Sequence, residues 1–172
     1  MSFRIFKIVI MNISLALADK ISKAISFNFL EHQPNQIFTI NRYCDLVSIW
    51  NYGISFGMFT QYQHYSNIIF LVINSFILIY LWCLLLKSTS KLSFVGFNLI
   101  IGGAIGNLID RIHHGAVFDF IYIHYNQYGF AVFNLADSFI SIGVVILILD
   151  YYFTQKHIEQ KKDYIYNKTN KN

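Results

Sequence analysis

Proline is nearly absent: Pro34 is the only one in the chain. No proline-rich linker, internal repeat or low-complexity block therefore divides it. Cysteine is almost as scarce. Cys44 and Cys83 form neither a CxxC metal motif nor a dense disulfide framework, and they read as two unpaired thiols. Charge is the third shortage, at 13% of residues, where soluble domains carry about 25%. The 55% apolar fraction exceeds the roughly 45–50% of such domains, and the excess points to a bilayer. A net charge of +4 without a compact basic and aromatic patch excludes nucleic acid as the expected partner. At 172 residues the chain accommodates one polytopic domain, not two domains plus membrane spans.

Four apolar segments approach the roughly 20 residues that a helix needs to cross about 30 Å of hydrocarbon. The clearest is "NIIFLVINSFILIYLWCLLL", residues 67–86, without a charge. Others run over 92–109 and 130–153, and a weaker one covers 5–25. The "ALA" at 16–18 of that first run also reads as a signal-peptide cleavage site. Residues 27–63 are mixed in character. They are expected to form short strands on the outer membrane surface, with "GISFGMF" (53–59) dipping into the interface. Residues 154–172 read as a polar, solvated tail.

Nine of the thirteen basic residues flank one end of these spans: Arg4, Lys7, Lys87, Lys91, Lys156, Lys161, Lys162, Lys168 and Lys171. Loop lysines and arginines favour the cytoplasm, so both termini are expected there. The acids Asp19, Glu31, Asp45, Asp110, Asp119 and Asp137 fall on the opposite half. An Asp at the centre of a span costs about 2.5–3.5 kcal/mol, less near an interface, so several together suggest a site.

In the third span, Asn107 and Arg111 share a helical face, with Asp110 on the adjoining row. Gly102 and Gly106 form a GxxxG that lets a neighbouring helix approach. Asp119 follows that span, and in the fourth Asn134, Asp137, Ser138 and Ser141 fall on one face. Asp119 and Asp137 thus reach one interface depth from two segments. Two carboxylates in a partly dry site share a proton, one serving as base on water and the other as acid toward a scissile carbonyl and leaving amine. That is the logic of aspartic proteases.

Spacing alone leaves other readings open. Asp137 can pair with Arg111, Asp119 can cap a helix end, and Asp19 with Lys23 can form an interfacial salt bridge. His113 and His114 lack a third ligand at convincing spacing, so neither metal nor cofactor is expected. A small carrier or channel also uses intramembrane acids and amides. It needs polar residues toward the cytoplasm, whereas residues 142–149, "IGVVILIL", are wholly apolar.

The set "DKISK" (19–23), "NYGISFG" (51–57), "GGAIGNLIDRIHHGAVFDF" (102–120) and "FNLADSFISIG" (133–143), in this order, resembles the lipoprotein signal peptidase (signal peptidase II) family. The resemblance implies a mainly α, polytopic fold: four transmembrane helices with a small β-rich cradle on the non-cytoplasmic face. It implies an aspartic endopeptidase of the bacterial inner membrane that cuts prolipoproteins before a diacylglyceryl-modified cysteine. The VxDF and FNxAD motifs place the catalytic dyad at Asp119 and Asp137. By motif, Asp19, Lys20, Asn51, Gly53, Asn107, Asp110, Arg111 and Asn134 bind substrate or support the dyad. The expected partners are the lipid-modified substrate, membrane lipid and a globomycin-type inhibitor, with the enzyme a monomer. Ile54 and Ser55 stand where many relatives have small residues, and Ala131 stands where relatives often have proline. Neither departure touches the dyad.

Overall fold

The computed structural model describes residues 2–53, 63–126 and 128–169. It is mainly helical, with α1 (Ser2–Glu31), α2 (Gln63–Lys87), α3 (Lys91–His114) and α4 (Leu135–Thr169) beside a small sheet. The sheet comprises β1 (Ile37–Asn41), β2 (Cys44–Asn51), β3 (Val117–Tyr125) and β4 (Tyr128–Phe133), antiparallel throughout in the order β1-β2-β3-β4.

Among the described residues, three helices are long and apolar enough to cross a membrane: Ser66–Lys87, Lys91–His114 and Leu135–Lys162. Helix α1 carries Arg4, Lys7, Asp19, Lys20 and Lys23 and falls short by apolarity. On α2 large apolar side chains such as Phe76 and Ile79 face outward, as they do where lipid is the solvent.

Two strands fall inside the expected strand-rich stretch 27–63; β3 and β4 do not. The fourth span was expected from Phe130, but residues 128–133 form β4 and the helix begins at Leu135. The reason is pairing: Ile121 lies opposite Phe133 and Tyr122 opposite Val132, so this apolar run satisfies its backbone in a sheet. The expected polar tail is also helical, α4 continuing to Thr169. The stretch 53–59 proposed to dip into the interface lies, from residue 54 onward, outside the described residues.

Helix α3 packs against α1, α2 and α4, and its glycines permit this. A Cβ at Gly102 would meet Leu15 of α1 at 2.6 Å, and one at Gly106 would meet Asp19 Oδ2, also at 2.6 Å. The GxxxG therefore faces α1. Gly103, outside that motif, faces α4: a Cβ there would lie 2.5 Å from the Ala136 carbonyl oxygen. Between α1 and α3 a buried amide pair adds direction, Asn12 Nδ2 donating to Asn98 Oδ1 at 3.0 Å. Ile8, Leu85 and Ile101 form the apolar core beside it.

The sheet packs its other face on the end of α1, where Phe118 and Phe120 of β3 bury against Leu30 with Trp50 alongside. Gly115, at φ 72, ends α3 in the left-handed conformation and donates its N–H to Arg111 O at 3.1 Å. That turn sends the chain straight into β3.

Because a backbone oxygen cannot move aside as a side chain does, Gly103→Ala is expected to cost about 1–3 kcal/mol. Thermal unfolding in detergent reads this as a lowered midpoint; an unchanged midpoint would mean that the α3–α4 distance is set elsewhere.

Candidate active site

Asp119 is the third residue of β3 and is 2% exposed. Ile49 of β2 lies opposite it, so Asn51, two residues on, falls on the same sheet face. Asn51 Nδ2 donates to Asp119 Oδ2 at 2.9 Å. The amide is held in that orientation from behind, since Gly53 N–H donates to Asn51 Oδ1 at 2.8 Å. Gly53 itself adopts φ 83, the left-handed region where a side chain is strained.

Asn134 and Asp137 open α4. Asn134 Oδ1 accepts the Asp137 N–H at 3.0 Å, and Asp137 Oδ2 accepts the Asn134 N–H at 3.1 Å. This is a reciprocal capping box, with Asp137 in the first turn where unpaired N–H groups favour a negative charge. Asn134 thus precedes the helix instead of sharing its face with Asp137, Ser138 and Ser141. Its fully buried side chain turns back toward the sheet, where Nδ2 donates to Asp119 Oδ1 at 2.7 Å.

Asn107 of α3 completes the link. Its Nδ2 donates to Asp137 Oδ1 at 2.8 Å, and its Oδ1 accepts from Asn134 Nδ2 at 3.2 Å. The two carboxylates are therefore joined through two amides. Neither of the bland alternatives holds: Asp119 caps no helix, and no ion pair joins Arg111 to Asp137.

Behind Asn107 lies a buried charge cluster. Lys23 Nζ contacts Asp19 Oδ2 at 2.7 Å, Asp110 Oδ2 at 2.8 Å and Asn107 Oδ1 at 2.9 Å. Lys20 reaches Asp110 Oδ1 at 2.6 Å from a side chain that is 34% exposed. Asp19 Oδ1 accepts the Ala136 N–H at 2.9 Å, tying α1 to the first turn of α4. The motif assignment named Lys20; the more deeply buried cation, and the one that touches the amide network, is Lys23. Its only signal in the sequence is the i, i+4 spacing to Asp19, which reads as an interfacial pair but is buried on both sides. Since an ammonium only donates, Lys23 forces Asn107 to present its oxygen inward and its NH2 to Asp137.

Arg111 is nearly buried, with its guanidinium carbon 4.6 Å from the centre of the Phe70 ring and Nη1 without a hydrogen-bond partner. His113 and His114 hold their ring centres 6.3 Å apart. Among the described residues no three His, Cys, Asp or Glu side chains gather in a metal-binding cluster.

Burial pushes the Asp119 carboxyl up from 3.8 to about 6, and the neighbouring Asp137 charge adds to the rise. The Asn51 and Asn134 donors and the Lys23 charge oppose it. Between those two values the folded chain keeps a proton that the unfolded chain has lost, so ionising Asp119 lowers stability as pH rises through that window. Asp137, less buried, lines a groove of about 650 Å³ together with Ser138, Ser141, Phe130 and Ile123. The arrangement offers one shielded carboxyl able to hold a proton, linked through amides to a second carboxyl that lines a groove.

With this geometry in place, comparison with known proteins decides the family. The family model described as Signal peptidase (SPase) II matches residues 11–153. The chain belongs to the signal peptidase II family. It is accordingly a multi-pass membrane enzyme and an aspartic-type endopeptidase. The lipoprotein signal peptidase of Rickettsia felis is 50% identical over 149 residues, covering 87% of this chain and 76% of that protein. That of Rickettsia bellii is 47% identical over 156 residues, covering 91% and 80%. A solved bacterial membrane enzyme superposes with a TM-score of 0.74 at 27% identity, covering 89% of this chain and 92% of its own. The matched segment contains every signal peptidase II motif residue named above.

Removing one partner from a buried ion pair typically costs about 3–5 kcal/mol. Lys23→Met is therefore expected to lower the unfolding midpoint sharply, and Asp19→Asn added to it is expected to restore part of the loss. Strict additivity of the two substitutions would show that the pair is not coupled.

Proposed function

We propose that the chain removes signal peptides from prolipoproteins, cutting immediately N-terminal to a diacylglyceryl-modified cysteine, with Asp119 and Asp137 as the catalytic pair. The observation that carries this reading is the amide-linked network that joins buried Asp119 to Asp137, the carboxylate that lines a groove. Asp119, raised by burial, carries the proton and acts as general acid. Asp137, which accepts from Asn107 Nδ2 and Asn134 N–H, acts as general base.

Water enters between them. Its oxygen adds to the scissile carbonyl carbon, its proton passes to Asp137, and the Asp119 proton passes to the carbonyl oxygen. Collapse of the tetrahedral intermediate breaks the C–N bond as Asp137 passes its proton to the leaving amine and a hydroxyl of the intermediate returns one to Asp119, which restores the pair. No covalent intermediate with the enzyme forms.

The remaining motif residues divide the supporting work. Asn51, fixed by Gly53, and Asn134 orient Asp119, while Asn107 orients Asp137. Asp19, Lys20 and Asp110, together with Lys23, anchor α1 to α3 and α4 beneath the pair. Arg111, with an unpaired Nη1, supplies a donor for the substrate backbone.

The chain acts as one monomeric domain, with α1 as a fourth span despite its charges. Those at its far end, Asp19, Lys20 and Lys23, are neutralised pairwise, which removes most of the cost of burying them. The basic residues at the opposite end of the bundle favour a cytoplasmic side for both termini, with the sheet cradling the site at the outer face of the inner membrane. From there the groove opens beside α4, where a lipid-anchored substrate approaches laterally.

Purified wild type is expected to cleave a diacylglyceryl-modified prolipoprotein before the lipidated cysteine and to stop when globomycin is added. Asp119→Asn and Asp137→Asn, each verified as folded by thermal unfolding, are expected to lose cleavage. Persistent cleavage by either folded variant would remove the dyad assignment.

A further inference from the structure

At the end of α3 opposite the dyad, about 24 Å from Asn107 at 1.5 Å per residue, the turn between α2 and α3 meets the first turns of α1. Arg4 is fixed there. Its Nη2 donates to Leu85 O at 3.0 Å, to Ser88 O and to Ser88 Oγ at 3.1 Å, closing carbonyls at the end of α2. All three bonds come from that one nitrogen, which leaves Nε and Nη1 available. Arg4, Lys7 and Lys91 line a cavity of about 710 Å³, shared with Thr89, Phe3 and Phe94.

Among the described residues no ion pair neutralises these cations. Asp150 of α4 is the carboxylate that reaches this turn, and it accepts instead from Ser90 Oγ at 2.7 Å and from Ser93 Oγ. Three cations line this cavity while Asp150 is held by the two serines; they repel one another, and an external anion relieves that repulsion. Two further features narrow the class of anion. Helix α2 ends at Lys87 and α3 begins at Lys91, both apolar and of spanning length, so the cavity lies where hydrocarbon gives way to water. Its walls combine cations and three hydroxyl side chains with two phenylalanines, a lining suited to an amphiphile rather than a free ion.

We propose that this cavity binds the phosphate of an acidic glycerophospholipid, with Arg4, Lys7 and Lys91 meeting the headgroup and Phe3 and Phe94 meeting the start of its acyl chains. A lipid seated there bridges α1 to the α2–α3 turn on the membrane face opposite the dyad, and so fixes the depth of the helices that carry Asn107 and Lys23. The site is separate from the substrate groove and does not depend on the catalytic reading.

The test is thermal unfolding of the full chain in neutral detergent with added dioleoyl phosphatidylglycerol, dioleoyl phosphatidylcholine or inorganic phosphate. Phosphatidylglycerol near tenfold its dissociation constant is expected to raise the midpoint by about 3 °C or more, and the other two are expected not to. The Lys7→Gln/Lys91→Gln variant, which leaves Arg4 in its structural role, is expected to lose the shift, while Lys161→Gln/Lys162→Gln keeps it. An equal shift with phosphatidylcholine or inorganic phosphate, a shift retained in Lys7→Gln/Lys91→Gln, or one lost in the tail variant would overturn the proposal. Should Lys7→Gln/Lys91→Gln fail to fold, native mass spectrometry of wild type decides: retention of phosphatidylglycerol over phosphatidylcholine supports the site, and equal retention contradicts it.

Discussion

The side chain of Asn134 has three tasks, and the rest of the site depends on their being met together. Its oxygen caps the first turn of α4, while its NH2 group reaches Asp119 on β3 and the Asn107 oxygen on α3. An amide has one acceptor and two donor hydrogens, and here both kinds are used. The start of a membrane helix and the position of a buried carboxylate are thereby set by one residue. Ala at this position would forfeit the cap and leave Asp119 short of a donor in a dry setting, where an unmade hydrogen bond is most costly.

The same economy runs through α3. Its glycines bring α1 and α4 close enough that Asp19 can accept from the Ala136 backbone and Lys23 can reach Asn107. Four carboxylates and three amides lie within a chain of contacts served by one fully buried ammonium and one partly exposed one. Burying such groups is expensive, and the pairing geometry offsets the expense only while every helix keeps its distance. Packing and chemistry are therefore not separable in this molecule.

Much of this was legible in the residues. The uncharged run 67–86 announces a lipid-facing helix, and Asp119 and Asp137 stand out as acids where a membrane chain has least reason to carry them. Other features were hidden for physical reasons. β4 is as apolar as the helix that follows it, so hydropathy merges the two; only the pairing with β3 and the cap at Asn134 divide them. β3 follows α3 after a single turn at Gly115, too short a break to register as a change of structure. Lys20 and Lys23 both lie near Asp110, and nothing local reveals which is buried, because that depends on where α3 packs. Gly103 lies outside the GxxxG pattern yet makes the tighter backbone contact.

The central claim is that the two carboxylates differ, Asp119 holding the proton and Asp137 taking one from water. The pH dependence of kcat/KM tests it most directly, because it reports ionisations of the free enzyme. With Asp119 raised to about 6, activity is expected to fall as pH rises through that value and the acid loses its proton. Asn51 donates to the ionised form and so holds the value down; in Asn51→Ala the falling limb is expected to move to higher pH. A falling limb that stays in place in Asn51→Ala, or a wild-type profile with no loss of activity above pH 6, would contradict the assignment of the proton to Asp119.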